Sequence, residues 1–180
     1  AGLGAHSTRD GLGGHESHQD HLAVYLYNGN EYLEAQFGAF KMRGIAINVN
    51  YRYVEGELNY LFDNADVVAL IVERTYAPLV ARTKPNHPKL QTVVVIPDVI
   101  EPDDQSDISA FGGVLYADAI ADQSAERDFA ERSADDLHII YTGGTTGFPK
   151  GVMWRHEDFW RTLGGGIDFY TGEKLDEFDQ

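Results

Sequence analysis

The chain has 180 residues, 43% of them hydrophobic and 24% charged, with 14 Lys and Arg against 29 Asp and Glu for a formal charge of -15. That balance, with no basic run, excludes a nucleic-acid partner, since a phosphate backbone is held mainly by Lys and Arg. The lack of cysteine excludes disulfides, thiolate catalysis and Cys-type zinc sites, and the length suffices for one domain with a sizeable core.

Residues 1–19 are rich in Gly, His and Ser without any period, which predicts a flexible arm. Gly11-Leu12-Gly13 opens like a dinucleotide fingerprint but has Glu16 where the third glycine belongs. His15, His18 and His21 recur at a spacing that makes a metal site on a helix, yet Gly13 and Gly14 beside them favour a solvated loop. Residues 22–27 read as the first strand. Leu33, Phe37 and Phe40 then share one helical face, and Gly44 offers a left-handed cap to end that helix. Residues 45–49 are a second strand, with Asn48 and Asn50 capping or turning its end. Val54, Leu58, Leu61 and Ala65 repeat at helical spacing, and 67–72 is a nearly unbroken apolar run, as in a strand buried on both faces; 92–96 repeats it. Pro, Asp and Ser make 97–113 an exposed loop, and 116–121 reads as a short helix. Strands alternating with helices predict an α/β fold with a mostly parallel sheet flanked by helices.

A last apolar run, 137–141, leads into Tyr141-Thr142-Gly143-Gly144-Thr145-Thr146-Gly147-Phe148-Pro149-Lys150-Gly151-Val152, and residues 154–163 follow with helical spacing. The expected order is strand, glycine turn, helix. Glycines let successive N–H groups turn toward an anion, threonine hydroxyls add donors that also reach a phosphate-bound Mg²⁺, and Lys150 brings a mobile positive charge. This is not a Walker A loop, in which the lysine follows glycine and precedes Ser or Thr; Lys150 follows Pro149 and precedes Gly151. Gly164-Gly165-Gly166 lacks the dinucleotide spacing and reads as a flexible loop. His156-Glu157-Asp158 has the look of an acid–base cluster, but carboxylates in the first turn of a helix stabilise its dipole, the reading favoured here. Trp154, Phe159 and Trp160 either line part of an apolar ligand channel or pack the helix on the sheet, with packing favoured.

The stretch Tyr141 to Val152 resembles the signature loop of the adenylate-forming enzymes, the superfamily of acyl-CoA synthetases, firefly luciferase and peptide-synthetase adenylation domains. The usual form is aromatic-Thr-Ser-Gly-Thr-Thr-Gly-x-Pro-Lys-Gly-Val, and this chain departs from it once, with Gly143 in place of the serine. The run from Asn48 to Leu61, with Met153-Trp154-Arg155-His156-Glu157-Asp158, is similar to actinobacterial fatty-acid-CoA ligases, including those that activate steroid side chains. The resemblance implies part of the large N-terminal domain of such an enzyme: an arm at 1–19, a partial AMP-binding domain at 20–172, and an acidic tail at 173–180. It implies ATP, Mg²⁺ and coenzyme A, and an acyl-adenylate formed from a fatty or steroid side-chain acid. Thr142, Gly143, Gly144, Thr145, Thr146, Gly147 and Lys150 would then hold phosphates, Thr145 and Thr146 would also reach the metal, and Lys150 would be catalytic. The superfamily's other catalytic lysine lies in a small C-terminal domain outside this chain, so the 180 residues alone are expected to be inactive. Two alternatives remain: a non-catalytic nucleotide-binding module, and an amino-acid adenylation domain. No run approaches the roughly 18 apolar residues of a membrane span, so cytoplasm is the default expectation. Sheet edges and apolar faces left open by a partial domain would favour homo-oligomers.

Overall fold

The computed structural model describes residues 3–6, 11–14, 16–98, 104–126, 129–143 and 147–175. In chain order the elements are β1 (His21–Tyr25), α1 (Asn30–Lys41), β2 (Ile45–Asn48), α2 (Glu55–Asn64), β3 (Val67–Glu73), α3 (Ala77–Thr83), β4 (Thr92–Ile96), β5 (Val114–Leu115), α4 (Tyr116–Ile120), β6 (Leu137–Thr142), β7 (Lys150–Arg155) and α5 (His156–Leu163). They build a 7-stranded sheet in the order β5-β4-β3-β1-β2-β6-β7. Every pairing is parallel except that of β6 with β7. The chain thus adopts the expected α/β fold, a mostly parallel sheet flanked by helices.

Side chains alternate across the central strands and separate two cores. Tyr25, Ile47, Leu70 and Val72 pack beneath α2 and α3 through Leu58, Leu61, Phe62, Ala77 and Val80. On the other face Leu22, Val24, Ala46 and Ala69 meet α1 through Ala35 and Ala39. Leu58, Leu61 and Leu70 are wholly buried, each contributing roughly 2 kcal/mol of hydrophobic stabilisation. Helix α2 starts where Glu57 reaches back to accept the Val54 N–H at 2.9 Å, and Asn50 turns the end of β2 by accepting the Arg52 N–H at 3.0 Å.

Several expectations are corrected. Leu33 and Phe37 are 57% and 59% exposed; the small residues Ala35 and Ala39 face the sheet instead and let α1 approach it closely. The left-handed residue after α1 is Arg43, at φ 60, not Gly44. Gly44 serves close approach, because a Cβ there would lie 2.8 Å from Met42 Cε and 3.2 Å from the Asp20 carbonyl oxygen. Trp154 and Arg155 belong to β7 rather than to a helix, since the ladder from Leu137↔Arg155 to Thr142↔Lys150 claims them. The order is therefore strand, loop, strand, helix. Gly166 is buried, and a Cβ at Gly164 or Gly166 would strike the Trp160 ring at 2.4 or 2.3 Å, so these glycines pack on an aromatic rather than merely loosen a loop. Residues 99–103 of the expected 97–113 loop and 176–180 of the acidic tail lie outside the described residues.

Within the arm, Ala5 bridges Gln19 and the Gly4 N–H donates to Asp20 at 2.8 Å. Gln19 then joins distant elements, accepting the Leu137 N–H at 2.8 Å and donating to the Arg43 carbonyl at 2.9 Å.

Candidate functional site

The loop singled out by its sequence spans the tip of the β6–β7 hairpin at the carboxyl end of β6, and β6 runs parallel to β2 at the Ile47↔Ile139 pair. In open α/β sheets ligands bind beyond the carboxyl ends of the strands. Thr142 and Lys150 face each other as the last ladder pair before the loop, which fixes both backbones and leaves both side chains in solvent. Among the described residues Lys150 makes no ion pair, whereas Arg43, Arg82, Lys89, Arg155 and Arg161 each do. Gly143 and Gly147 are exposed beside Lys150; Gly144, Thr145 and Thr146 lie outside the described residues.

Both arms of the loop are tied to α2. The Tyr60 ring stacks on Phe148 with centroids 4.4 Å apart and planes at 21°, and its hydroxyl donates to the Pro149 carbonyl at 3.1 Å. On the other arm the Tyr141 hydroxyl donates to Asn64 Oδ1 at 2.7 Å, and burial pushes that phenol up to about 12. Below these contacts a cleft of about 660 Å³ opens, lined in part by Asp20, His21, Asn64, Asp66, Tyr141 and Met153.

The hairpin's base is anchored electrostatically. Arg43 Nη2 donates to Asp136 Oδ1 at 2.8 Å and its Nε to Oδ2 at 3.0 Å, while Asp136 also accepts the Ser133 N–H at 3.0 Å. The carboxylate raises the affinity of the guanidinium for its proton. None of Tyr60, Asn64, Arg43 and Asp136 was marked by the sequence reading. A signal existed for Tyr60, an aromatic lying off the apolar stripe Val54, Leu58, Leu61 and Ala65.

His21 Nδ1 meets the Ala65 carbonyl and its Nε2 the Ser17 hydroxyl, while His15 lies outside the described residues. Glu157 and Asp158 do occupy the first turn of α5, Glu157 pairing with Arg161 at 2.9 Å and Asp158 with Arg155 at 3.3 Å. Phe159 packs edge-on against Trp154 and His138, with centroids 6.4 and 5.2 Å away. His138 and His156, each packed edge-on against Phe40, are held below their usual range by burial. Away from the hairpin, Glu73 at the end of β3 is 2% exposed, its Oε2 has no partner among the described residues, and burial pushes its carboxyl up.

A match to the family described as AMP-binding enzyme runs over residues 12–177. The chain belongs to the AMP-binding enzyme family. It is 58% identical over 154 residues to the 3-oxocholest-4-en-26-oate--CoA ligase of Rhodococcus rhodochrous, covering 86% of this chain and 27% of that protein. It is 54% identical over 165 residues to the medium/long-chain-fatty-acid--CoA/3-oxocholest-4-en-26-oate--CoA ligase of Mycobacterium marinum, covering 89% and 29%. The chain therefore spans under a third of the length of these AMP-binding relatives. Among solved structures, the anthranilate CoA ligase AuaEII in complex with anthranoyl-AMP superposes with TM-score 0.69 at 25% identity, covering 82% of this chain and 28% of that one. The N-terminal domain of FACL13 from Mycobacterium tuberculosis does so with TM-score 0.60 at 25% identity, covering 77% and 31%. The sheet and flanking helices match the N-terminal domain of adenylate-forming enzymes. Among the described residues no helix is long and apolar enough to cross a membrane.

Proposed function

We propose that this chain is the phosphate-loop-bearing part of a longer AMP-forming acyl-CoA ligase that activates a fatty or steroid side-chain carboxylic acid. The observation that carries this reading is the position of Lys150, which makes no ion pair among the described residues and is fixed at the mouth of a glycine- and threonine-rich loop at the carboxyl end of a strand. A carboxylate oxygen of the acid attacks the α-phosphorus of ATP, the bond to the β-bridging oxygen breaks, and pyrophosphate leaves. The thiol of coenzyme A then attacks the acyl carbon and AMP departs. Thr142, Gly143, Gly144, Thr145, Thr146 and Gly147 hold the β- and γ-phosphates, and Lys150 balances the charge that grows on the leaving pyrophosphate. Donors aimed at that charge stabilise the transition state more than the ground state. The hydroxyls of Thr145 and Thr146 suit Mg²⁺, a hard cation that keeps several waters and takes few protein ligands beside phosphate oxygens; bound there, it neutralises phosphate charge.

Support for the acid class comes from the ligases named above, and support for the chemistry from the loop. In the intact ligase, acid-dependent exchange of pyrophosphate into ATP is expected with long-chain fatty acids or a steroid side-chain acid, followed by AMP release on adding coenzyme A. Exchange driven by amino acids would favour an adenylation domain instead. Binding of Mg-ATP with no adenylate from any acid would favour a non-catalytic module.

Gly143 offers a separate check on the loop. A Cβ built there meets nothing within 4 Å among the described residues, and Gly143 is not among the positive-φ glycines. Gly143→Ser is expected to change stability by less than about 0.5 kcal/mol in a urea melt. By restoring a donor to a charged phosphate it should tighten Mg-ATP binding about tenfold in a titration. Unchanged affinity would place the phosphates away from Gly143.

A further inference from the structure

We propose that Tyr60 is a positioning residue for Lys150, acting with Asn64 through the two arms of the loop. This rests on the reading of the loop as a triphosphate site. Tyr60 and Asn64 stand one turn apart, at i and i+4, so both project from the same face of α2. Tyr60 holds the far arm, through the stack on Phe148 and the 3.1 Å hydrogen bond to the Pro149 carbonyl. Asn64 holds the near arm, accepting from Tyr141 at 2.7 Å.

The Pro149 carbonyl belongs to the peptide unit whose nitrogen is that of Lys150. A peptide is planar, so holding that oxygen sets the plane and with it the direction in which the Lys150 Cα leaves the loop. Pro149 is buried and has a fixed φ, which leaves little other freedom in this arm. Tyr141 immediately precedes Thr142, the ladder partner of Lys150, so the second tether fixes the opposite side of the same pair. Packing alone would need only the Tyr60 ring. A hydroxyl on the carbonyl next to the lysine, with a second tether one helical turn away, is the arrangement of a brace for that residue.

The test measures ATP–pyrophosphate exchange in the intact ligase against Mg-ATP and acid concentrations for Tyr60→Phe, Tyr60→Leu and Asn64→Ala, each alone and combined with Lys150→Ala. Tyr60→Phe, which loses one hydrogen bond, is expected to raise KM for Mg-ATP about threefold, and Tyr60→Leu, which also loses the stack, about tenfold. KM for the acid should stay unchanged, and in the Lys150→Ala background the Tyr60 effects should shrink below about twofold, because the residue acts through the lysine. A merely structural Tyr60 would instead lower the melting temperature, shift the kinetics of both substrates together and add to Lys150→Ala; that pattern overturns the proposal. Where Tyr60→Leu fails to fold, Tyr60→Phe, which keeps the packing, decides. If Lys150→Ala slows exchange while all the α2 variants match the wild type, the tether alone falls. If Lys150→Ala leaves exchange unchanged, Lys150 takes no part in the chemistry, the loop holds phosphate by its backbone alone, and the brace has nothing to position.

Discussion

Lys150→Ala in the intact ligase is expected to slow acid-dependent ATP–pyrophosphate exchange at least tenfold while leaving the protein folded. Removing one preorganised donor from a developing oxyanion typically costs about 100-fold or more. Here the lysine is exposed and its field is partly screened by water, which sets the lower bound at about tenfold, or about 1.4 kcal/mol. Folding should not suffer, because the side chain makes no ion pair among the described residues and its backbone stays in the ladder with Thr142. Lys150→Arg keeps the charge but replaces a compact ammonium with a planar fork, so only partial recovery is expected. Single-turnover formation of the acyl-adenylate isolates the step. A rate equal to the wild type would remove Lys150 from the chemistry and leave the loop a backbone-only phosphate cradle.

Strands β3 and β4 are legible in the sequence because burial on both faces demands continuous apolar runs, as in Val67–Glu73 and Thr92–Ile96. The placement of Glu157 and Asp158 in the first turn of α5, where they complement the helix dipole, is equally legible, although the helix begins at His156 rather than at Trp154. Strand β7 is not. Lys150 to Arg155 has no clean alternation, and the segment is extended because β6 pairs with it, a nonlocal cause that periodicity does not record. Helix α3 is only 7 residues long with Pro78 in its first turn, too short to show a period. The face of α1 is misjudged for a related reason, since Leu33 and Phe37 repeat at helical spacing as core residues do. Only the closeness of the sheet selects Ala35 and Ala39 instead. At the site itself the loop is legible as a motif, while its tethers are not. Tyr60 meets Pro149 across 89 positions and Arg43 meets Asp136 across 93, contacts that no local pattern can announce.

The second of those contacts should be the most costly single link between the hairpin and the sheet. The ladder between β2 and β6 is a single pair, Ile47↔Ile139, so the segment carrying Lys150 depends on few backbone bonds to the parallel strands. Asp136 is 3% exposed and takes the Arg43 guanidinium, the Ser133 N–H and, through its carbonyl, the His156 N–H at 2.8 Å. Removing one partner of a buried ion pair typically costs about 3–5 kcal/mol. Arg43 keeps 24% of its side chain in water and can recover some hydration, which lowers the expectation for Asp136→Ala to about 2–3 kcal/mol. Asp136→Asn retains an acceptor for one of these donors and should lose about half as much. Urea melts give the totals, and amide hydrogen exchange gives the location: protection should fall in β6 and β7 well before β1 and β3, because the central strands keep their own ladders. Equal loss across all strands would mean that the pair holds the whole sheet, and no loss would mean that the guanidinium and carboxylate repay no more than their own desolvation. Faster exchange confined to the hairpin would tie the ion pair at its base to the precision with which Lys150 is held at its tip.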